Sequence, residues 1–405
     1  MPQGAHPEKP HRLCRAGLAT TQELGLPERK NRLSDQARHA LAVHDRTVEN
    51  PSSQHGSCVS PDYNILDMTN IYSKITHSKI DKLFSSLRSK SIAIIGDFCL
   101  DAYWIIDPLG SEISLETGLS TRAVKLQRYA PGGAGNVANN LKKLGFGSVT
   151  VYGVIGNDPF GVELKSQLEK VGCKTTNLII QSTSWDTPTY GKPIQNSKEE
   201  ARIDFGSFNL LSKAIAEELV IKLENEIKDY DMVVINQQLN NGLHQQSFPF
   251  MLQELISKYD QTSFISDCRG LDISYSMAHC KINKIEALNK GLINIVDSKI
   301  SPDMDKIKME NYNNLFISKG DEGCLIVEEL NIYDAPIPQR INKVDSVGAG
   351  DSMLSGLAAG LCCGWDALNS ALMGNLVASI TVQKQLQTGT ASSKDIFMIL
   401  EEIVK

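Results

Sequence analysis

The stretch VDSVGAGDSM, residues 344–353, sets Gly348, Ala349 and Gly350 directly before a carboxylate, Asp351. It then runs into DSMLSGLAAGLCCGWDALNSALMGNLVASITV, apolar nearly all round and rich in small residues, the pattern of helices packed closely in a core. A helix beginning near Gly350 points the unpaired N–H groups of its first turn, and the positive end of its dipole, at whatever lies in front. Gly-Ala-Gly lets that backbone approach a phosphate closely. Asp351, held in the same turn, is placed to take the proton of an attacking hydroxyl. A turn followed by a helix cap at Asp351 is the plainer reading of the same residues.

Neither common nucleotide-binding motif explains the chain. No G-x-x-x-x-G-K-[ST] occurs, so there is no Walker-type loop. In LGFGSVTVYG, Gly145 and Gly147 precede a strand, whereas a dinucleotide turn needs its glycines after one, so both are read as turn residues. A net charge of -6 gives no footprint for nucleic acid, and no apolar run is long enough to span a membrane. The nine cysteines are scattered without a C-x-x-C pair, which predicts buried thiols in a reducing compartment. With no basic segment leading into an apolar core at the N-terminus, the cytoplasm is the expected location.

The elements that must position such a site are legible from periodicity. Residues 1–67 are polar, carry five of the eight histidines at irregular spacing, and predict a disordered extension, an added leader upstream of Met68 being one source of it. Helical character starts at MTNIYSKITHSKIDKLFSSLRSK. From Ser91 on, SIAIIGD, VTVYGVIGND, DMVVINQ, TSFISD, LINIVD, NLFISKG and CLIVEE read as strands buried on both faces. Between them lie helices such as NDPFGVELKSQLEKVGC, with Asp158 as cap, Pro159 at the first position, Leu164 and Leu168 inward and Gly172 as the stop; another spans Asn136 to Leu144. The alternation predicts an α/β fold over 68–405, a doubly wound and mainly parallel sheet with helices on both faces. Residues 103–129 and 177–205 lack a helix and predict a small β-sheet lid over the active face.

DSVGAGD ahead of a small-residue helix resembles the D-[ST]-x-G-A-G-D signature of the ribokinase (PfkB) family of sugar and nucleoside kinases. Four further motifs follow the family's order: GDFCLD, PGGAGNVANNLKKLG, KINKIEA and SKGDEG. The similarity spans about 90–400. Within the family, GDFCLDAYW, PGGAGNVANNL, the stretches around Thr189 and Arg202, and TVQKQLQTGTAS look most like the heptose-7-phosphate kinase branch.

The resemblance implies ATP and Mg²⁺ as partners and a ribokinase-like fold. Asp351 is then the general base, and the N–H groups of Gly348, Ala349 and Gly350 meet the charge developing on the transferred phosphoryl. Asp101, Gly132, Gly133 and Asn136 match positions that hold substrate hydroxyls, while Thr189, Lys192 and Arg202 of the lid meet the substrate's own phosphate. For Arg202 an ordinary ion pair and for Asn136 a helix cap are the structural alternatives. Asn283 and Glu286 match the positions that orient Mg²⁺ and its waters, with a plain helix start as the alternative. Ser318, Lys319, Gly320 and Gly323 line the nucleotide site with Asn375 near the base, Lys319 otherwise being a solvated turn lysine and Asn375 a buried spacer. One departure stands out. Asn236, Gln237 and Gln238 occupy a turn where relatives carry an Asp, and an amide cannot take a proton or neutralise a cation. Two readings therefore compete with an ATP-dependent sugar or sugar-phosphate kinase: a non-catalytic sugar or nucleotide sensor, and a nucleoside kinase. A homodimer through an exposed lid edge is expected.

Overall fold

The computed structural model describes residues 68–270, 272–296, 299–339, 346–384 and 389–403. The extension read over 1–67, the first two residues of VDSVGAGDSM and part of TVQKQLQTGTAS lie outside them.

A 3-10 turn, Met68–Lys74, leads into helix α1 (His77–Leu87), capped by the Thr76 hydroxyl accepting from the Lys79 amide. Strand β1 (Ser91–Gly96) is followed by β2 (Phe98–Ile106) and β3 (Val124–Gly133), which passes directly into α2 (Ala134–Leu144). Next come β4 (Ser148–Gly156), α3 (Pro159–Lys170), β5 (Lys174–Gln181), then β6 (Thr189–Gln195), β7 (Lys198–Glu199) and β8 (Ile203–Phe205). Helix α4 (Lys213–Glu226), β9 (Met232–Gln237), α5 (Phe248–Lys258), β10 (Ser263–Cys268), β11 (His279–Asn283) and α6 (Lys284–Asn289) follow. The order closes with β12 (Ile293–Val296), β13 (Lys299–Pro302), α7 (Met304–Glu310), β14 (Leu315–Ser318), β15 (Cys324–Glu328), β16 (Asn331–Ala335), α8 (Ala349–Cys362), α9 (Ala367–Thr381) and α10 (Ser393–Ile403).

Nine of these strands form the main sheet in the order β16-β15-β14-β11-β10-β9-β1-β4-β5, parallel from β14 to β5, with β15 and β16 antiparallel at the other edge. Along β1 the side chains alternate between two cores. Ile92 and Ile94 join α1, α2, α8 and α9 on one face, while Ala93 and Ile95 join α4 and α5 on the other. That two-sided burial is why these strands read as continuous apolar runs rather than alternating ones. Strand order reverses at β1, since the chain goes outward through β4 and β5 and returns to pair β9 on β1's free edge. In a doubly wound sheet the crevice beyond the strand ends at such a switch is where ligands bind.

Strands β2, β3, β6 and β7, with β8 paired to β6, make a second sheet over that crevice. Two strand readings need correction. Residues 177–181, read as lid, pair with β4 at the edge of the main sheet. LINIVD reads as a strand buried on both faces, but among the described residues its Ile293–Val296 pairs with β13 alone in a two-stranded sheet, leaving Ile295 and Val296 exposed. A four-residue apolar run does not say by itself which partner covers it. Helix α3 has the ends its sequence dictates: Asp158 accepts from the Gly161 amide at 2.8 Å, Pro159 leads, and Leu164 and Leu168 are buried.

Candidate active site

The two sheets meet where β1 ends. Asp97, the one residue between β1 and β2, is buried, and its carboxylate accepts the amides of Leu243 (2.7 Å), Gln238 (2.8 Å) and Leu239 (2.9 Å). Its carbonyl accepts the Ala134 amide, which fixes the start of α2 against the same corner. Gly133 makes that approach at φ 55°, and a Cβ there would lie 2.5 Å from the Asp97 carbonyl oxygen. No other residue type fits the turn without displacing backbone. Gly133 thus occupies the cap position of α2, and Asn136, for which a cap is the alternative, is instead the third residue of the helix.

That inward position aims Asn136 at Asp351. The Asn136 amide donates to one carboxylate oxygen at 2.8 Å, while Gln238 and Arg269 approach the other at 3.5 Å each. Asp351 is not a cap either: Gly348, in the left-handed region at φ 78°, takes that position, and Asp351 is the third residue of α8. Burial pushes its carboxyl above the ordinary value of 3.8, with Arg269 and the Asn136 amide pulling it back. Of the three amides expected to face a phosphoryl group, that of Ala349 donates to the Ser346 carbonyl at 3.2 Å.

On one side of this helix start lies a cavity of about 230 Å³ lined by Asp101, Gly132, Gly133, Asn136, Gly348 and Asp351 together with lid residues. Asp101 is buried and ion-paired to Lys192 at 2.6 Å; burial alone would lower the lysine, but the carboxylate outweighs it and its pKa is raised. Lys192 also stands 4.8 Å from the Tyr103 ring centre. Arg202 lines the same cavity but is held by both oxygens of Asp204 at 2.6 and 2.7 Å and stacks on Tyr190. Thr189 is buried and its hydroxyl donates to the Thr187 carbonyl.

On the other side is a cavity of about 430 Å³ lined by Ser318, Gly320, Gly323, Ala349, Gly350 and Asn375, among others. Its walls are more apolar than those of the first. Lys319 is not a solvated turn lysine: its ammonium lies 2.8 Å from both oxygens of Asp334 on β16, and it does not line this cavity. The Asn375 amide nitrogen is committed to the carbonyls of Ala335 and Pro336 at 2.8 and 3.0 Å. Asn283 and Glu286 line neither cavity and form a reciprocal capping box, each side chain accepting the other's amide at 2.9 Å. Among the described residues no cluster of three or more His, Cys, Asp or Glu could hold a metal by itself. This donor set suits an ion that keeps most of its waters rather than one held in a protein cage.

Three charged residues, two at the end of β10 and one within β11, have no role in the motifs. Asp267 is fully buried and paired with Lys281 at 2.9 Å, and Arg269 follows one residue after β10. Ideal geometry puts a Cβ on Gly350 2.9 Å from both Arg269 Nη2 and Lys281 Nζ, so the side-chain space of the central glycine of GAGD is taken by two cations. A signal existed: charged residues in or just after apolar parallel strands point at the ligand end of the sheet. Asn236 and Gln237, expected in a turn, instead end strand β9; Asn236 is fully buried with both amide atoms unpartnered, and of the three amides only Gln238 lines either cavity.

Residues 89–394 match the pfkB family carbohydrate kinase. The bifunctional protein HldE of Sulfurimonas denitrificans is 32% identical over 317 residues, covering 75% of this chain and 63% of the relative. HldE of Aliarcobacter butzleri is 29% identical over 319 residues, 76% of this chain and 64% of the relative. The chain therefore spans a little under two thirds of the length of these curated relatives. Among solved structures, Thermotoga maritima ribokinase superposes with a TM-score of 0.58 at 20% identity, covering 77% of this chain and 99% of that one. Arabidopsis thaliana ribokinase complexed with ribose and ATP gives 0.59 at 17%, again with 77% and 99% coverage. These likenesses carry the ribokinase-like fold. On the family match, the chain belongs to the pfkB family of carbohydrate kinases, phosphotransferases that act on an alcohol group.

Proposed function

We propose that this chain phosphorylates a hydroxyl of a sugar phosphate with ATP, a heptose 7-phosphate being the favoured acceptor. The observation that carries the reading is the position of Asp351: buried, at the wall between two cavities, with its carboxylate facing the polar one. The sugar is assigned to the cavity with Asp101, Gly132, Gly133 and Asn136, and the nucleotide to the cavity with Ser318, Gly320, Gly323 and Asn375. The acceptor O–H gives its proton to Asp351 as the new O–P bond forms, the γ-phosphorus leaves the bridging oxygen, and ADP departs with that electron pair. Gly348 and Gly350 present the backbone of the helix start to the passing phosphoryl, which meets the positive end of α8. Mg²⁺, when bound, neutralises charge on the β- and γ-phosphates, and Asn283 and Glu286 are the residues assigned to its waters.

The choice of a phosphorylated acceptor rests on Lys192 and Arg202, two cations lining the sugar cavity, each paired with a carboxylate, Asp101 or Asp204, with which a bound phosphate would share it. Against a non-catalytic sensor stands the placement of Asn236 outside both cavities, which removes most of the motif departure from the reacting centre. We place the enzyme in the cytoplasm, where ATP and sugar phosphates are found; among the described residues no helix is long and apolar enough to cross a membrane. Leu109, Leu115 and Phe208, more than nine-tenths exposed on and beside the lid, favour a homodimer through it. The deciding experiment is a phosphoryl-transfer screen of sugars, sugar phosphates including heptose 7-phosphate, and nucleosides. ADP release with a phosphorylated heptose and little with nucleosides supports the reading, whereas ADP release with nucleosides alone overturns it.

A further inference from the structure

Two cations converge on the start of α8, and the motifs leave both without a function. Arg269 follows β10, lines the sugar cavity and reaches Asp351 at 3.5 Å. Lys281 lies on the neighbouring strand β11, almost fully buried, and is clamped by Asp267 at 2.9 Å. Both ends stand 2.9 Å from the point a Cβ of Gly350 would occupy, and Gly350 lines the nucleotide cavity. Arg269 therefore touches the wall of one cavity and the backbone of the other. A phosphoryl group moving between them must pass within its reach.

We propose that Arg269 is a catalytic residue of phosphoryl transfer, the fixed cation that stays with the γ-phosphoryl from nucleotide to acceptor, and that the Lys281–Asp267 pair is its positioning support. This rests on the kinase reading given above. During transfer the acceptor oxygen bonds to phosphorus, its proton goes to Asp351, and the bond to the bridging oxygen breaks with its electrons kept by ADP. Negative charge spreads over three phosphoryl oxygens with no covalent partner in the protein, so a cation already in place lowers the barrier without reorganising. Arg269 is supplied by the same chain and needs no closing partner. Lys281, with its charge balanced by Asp267, fills the space behind Gly350 and keeps the guanidinium forward. Arg269 contacts the base at 3.5 Å and is backed by the buried Asp267–Lys281 pair, so its guanidinium already stands where the charge develops.

The test compares Arg269→Gln, Arg269→Lys and the charge-neutral double variant Asp267→Asn/Lys281→Met, the last chosen so that no buried charge is left alone. Calorimetric binding of Mg·ADP and of a non-hydrolysable Mg·ATP analogue is measured beside single-turnover transfer to the best acceptor of the screen. For Arg269→Gln the expected result is a loss confined to the γ-phosphate: ADP affinity within about threefold of the parent, analogue affinity reduced by about tenfold or more, and transfer slowed by about 100- to 1000-fold. Arg269→Lys should recover part of the rate. The double variant should lower kcat while leaving the acceptor KM near the parent's, with the analogue-to-ADP ratio falling as in Arg269→Gln but less. Equal weakening of both nucleotides by Arg269→Gln, or transfer within threefold of the parent, overturns the proposal. Should the parent bind nucleotide yet phosphorylate nothing, the kinase reading fails and the analogue-to-ADP ratio still decides Arg269. A parent that binds neither nucleotide overturns both.

Discussion

Asp97→Asn tests how the lid sheet is tied to the main sheet. In the parent, one carboxylate oxygen accepts a single amide, that of Leu243, and the other accepts two, those of Gln238 and Leu239. An asparagine can keep the oxygen with two donors only by turning its NH₂ toward the Leu243 amide. One buried N–H then loses its acceptor, at about 1–3 kcal/mol, and two charge-assisted bonds become neutral, at about 1 kcal/mol each. Part of this is offset, because burial already pushes the Asp97 carboxyl above its ordinary value and a neutral amide needs less desolvation. The balance is a loss of about 2–4 kcal/mol, a large share of the roughly 5–15 kcal/mol that holds a domain together. Urea unfolding followed by tryptophan fluorescence reads it directly. The loop from Gln238 to Leu243 should also loosen, so hydrogen exchange should rise there before it rises in β1. A stability loss under about 0.5 kcal/mol with unchanged exchange would refute the reasoning, because the three amides would then not depend on the charge.

Other consequences follow from the same geometry. Burial raises the Asp351 carboxyl, so with Asp351 as the proposed base the ionised form appears only as pH rises through that raised value, and kcat/KM should fall on the acid side at a pH above the ordinary 3.8. Arg269→Gln, which removes a group holding the value down, should move that limb higher still; an unmoved limb would break the link. Gly133→Ala, forced to φ 55° with its Cβ on the Asp97 carbonyl, should cost about 2–4 kcal/mol in chemical unfolding. Lys192→Met should raise the acceptor KM by about tenfold or more for a sugar phosphate and much less for its unphosphorylated sugar, and equal effects would remove Lys192 from phosphate binding.

Much of the architecture can be read from side chains that answer to local physics. Asp158 and Pro159 start α3 because a carboxylate satisfies an orphan amide and proline has none to lose. Strands β1, β4 and β9 declare themselves as unbroken apolar runs because both their faces are covered. What sequence could not give was decided by distant partners. Ile293–Val296 looks like any core strand until β13, rather than the main sheet, is seen to pair with it. Asp351 and Asn136 have the residue types of caps, yet Gly348 and Gly133 take those positions through positive φ, turning both polar side chains inward toward each other. Lys319 sits in a nucleotide-type motif, but Asp334, fifteen residues on, claims its ammonium. Arg269, just after β10, and Lys281, on β11, are marked as facing the ligand end of the sheet, but neither segment says that the two meet at Gly350.

In the proposed reaction Asp351 takes the acceptor proton at the wall between the two cavities. Asp351→Asn keeps size and the hydrogen bond to Asn136 within reach of an amide flip, and it removes a buried charge whose raised pKa costs the folded state stability above that pKa, so the variant should be no less stable at pH 7. Measured side by side with the parent, it should bind Mg·ATP analogue within about threefold and transfer phosphoryl at least about 1000-fold more slowly. Transfer by the asparagine variant at a rate within tenfold of the parent would contradict the account.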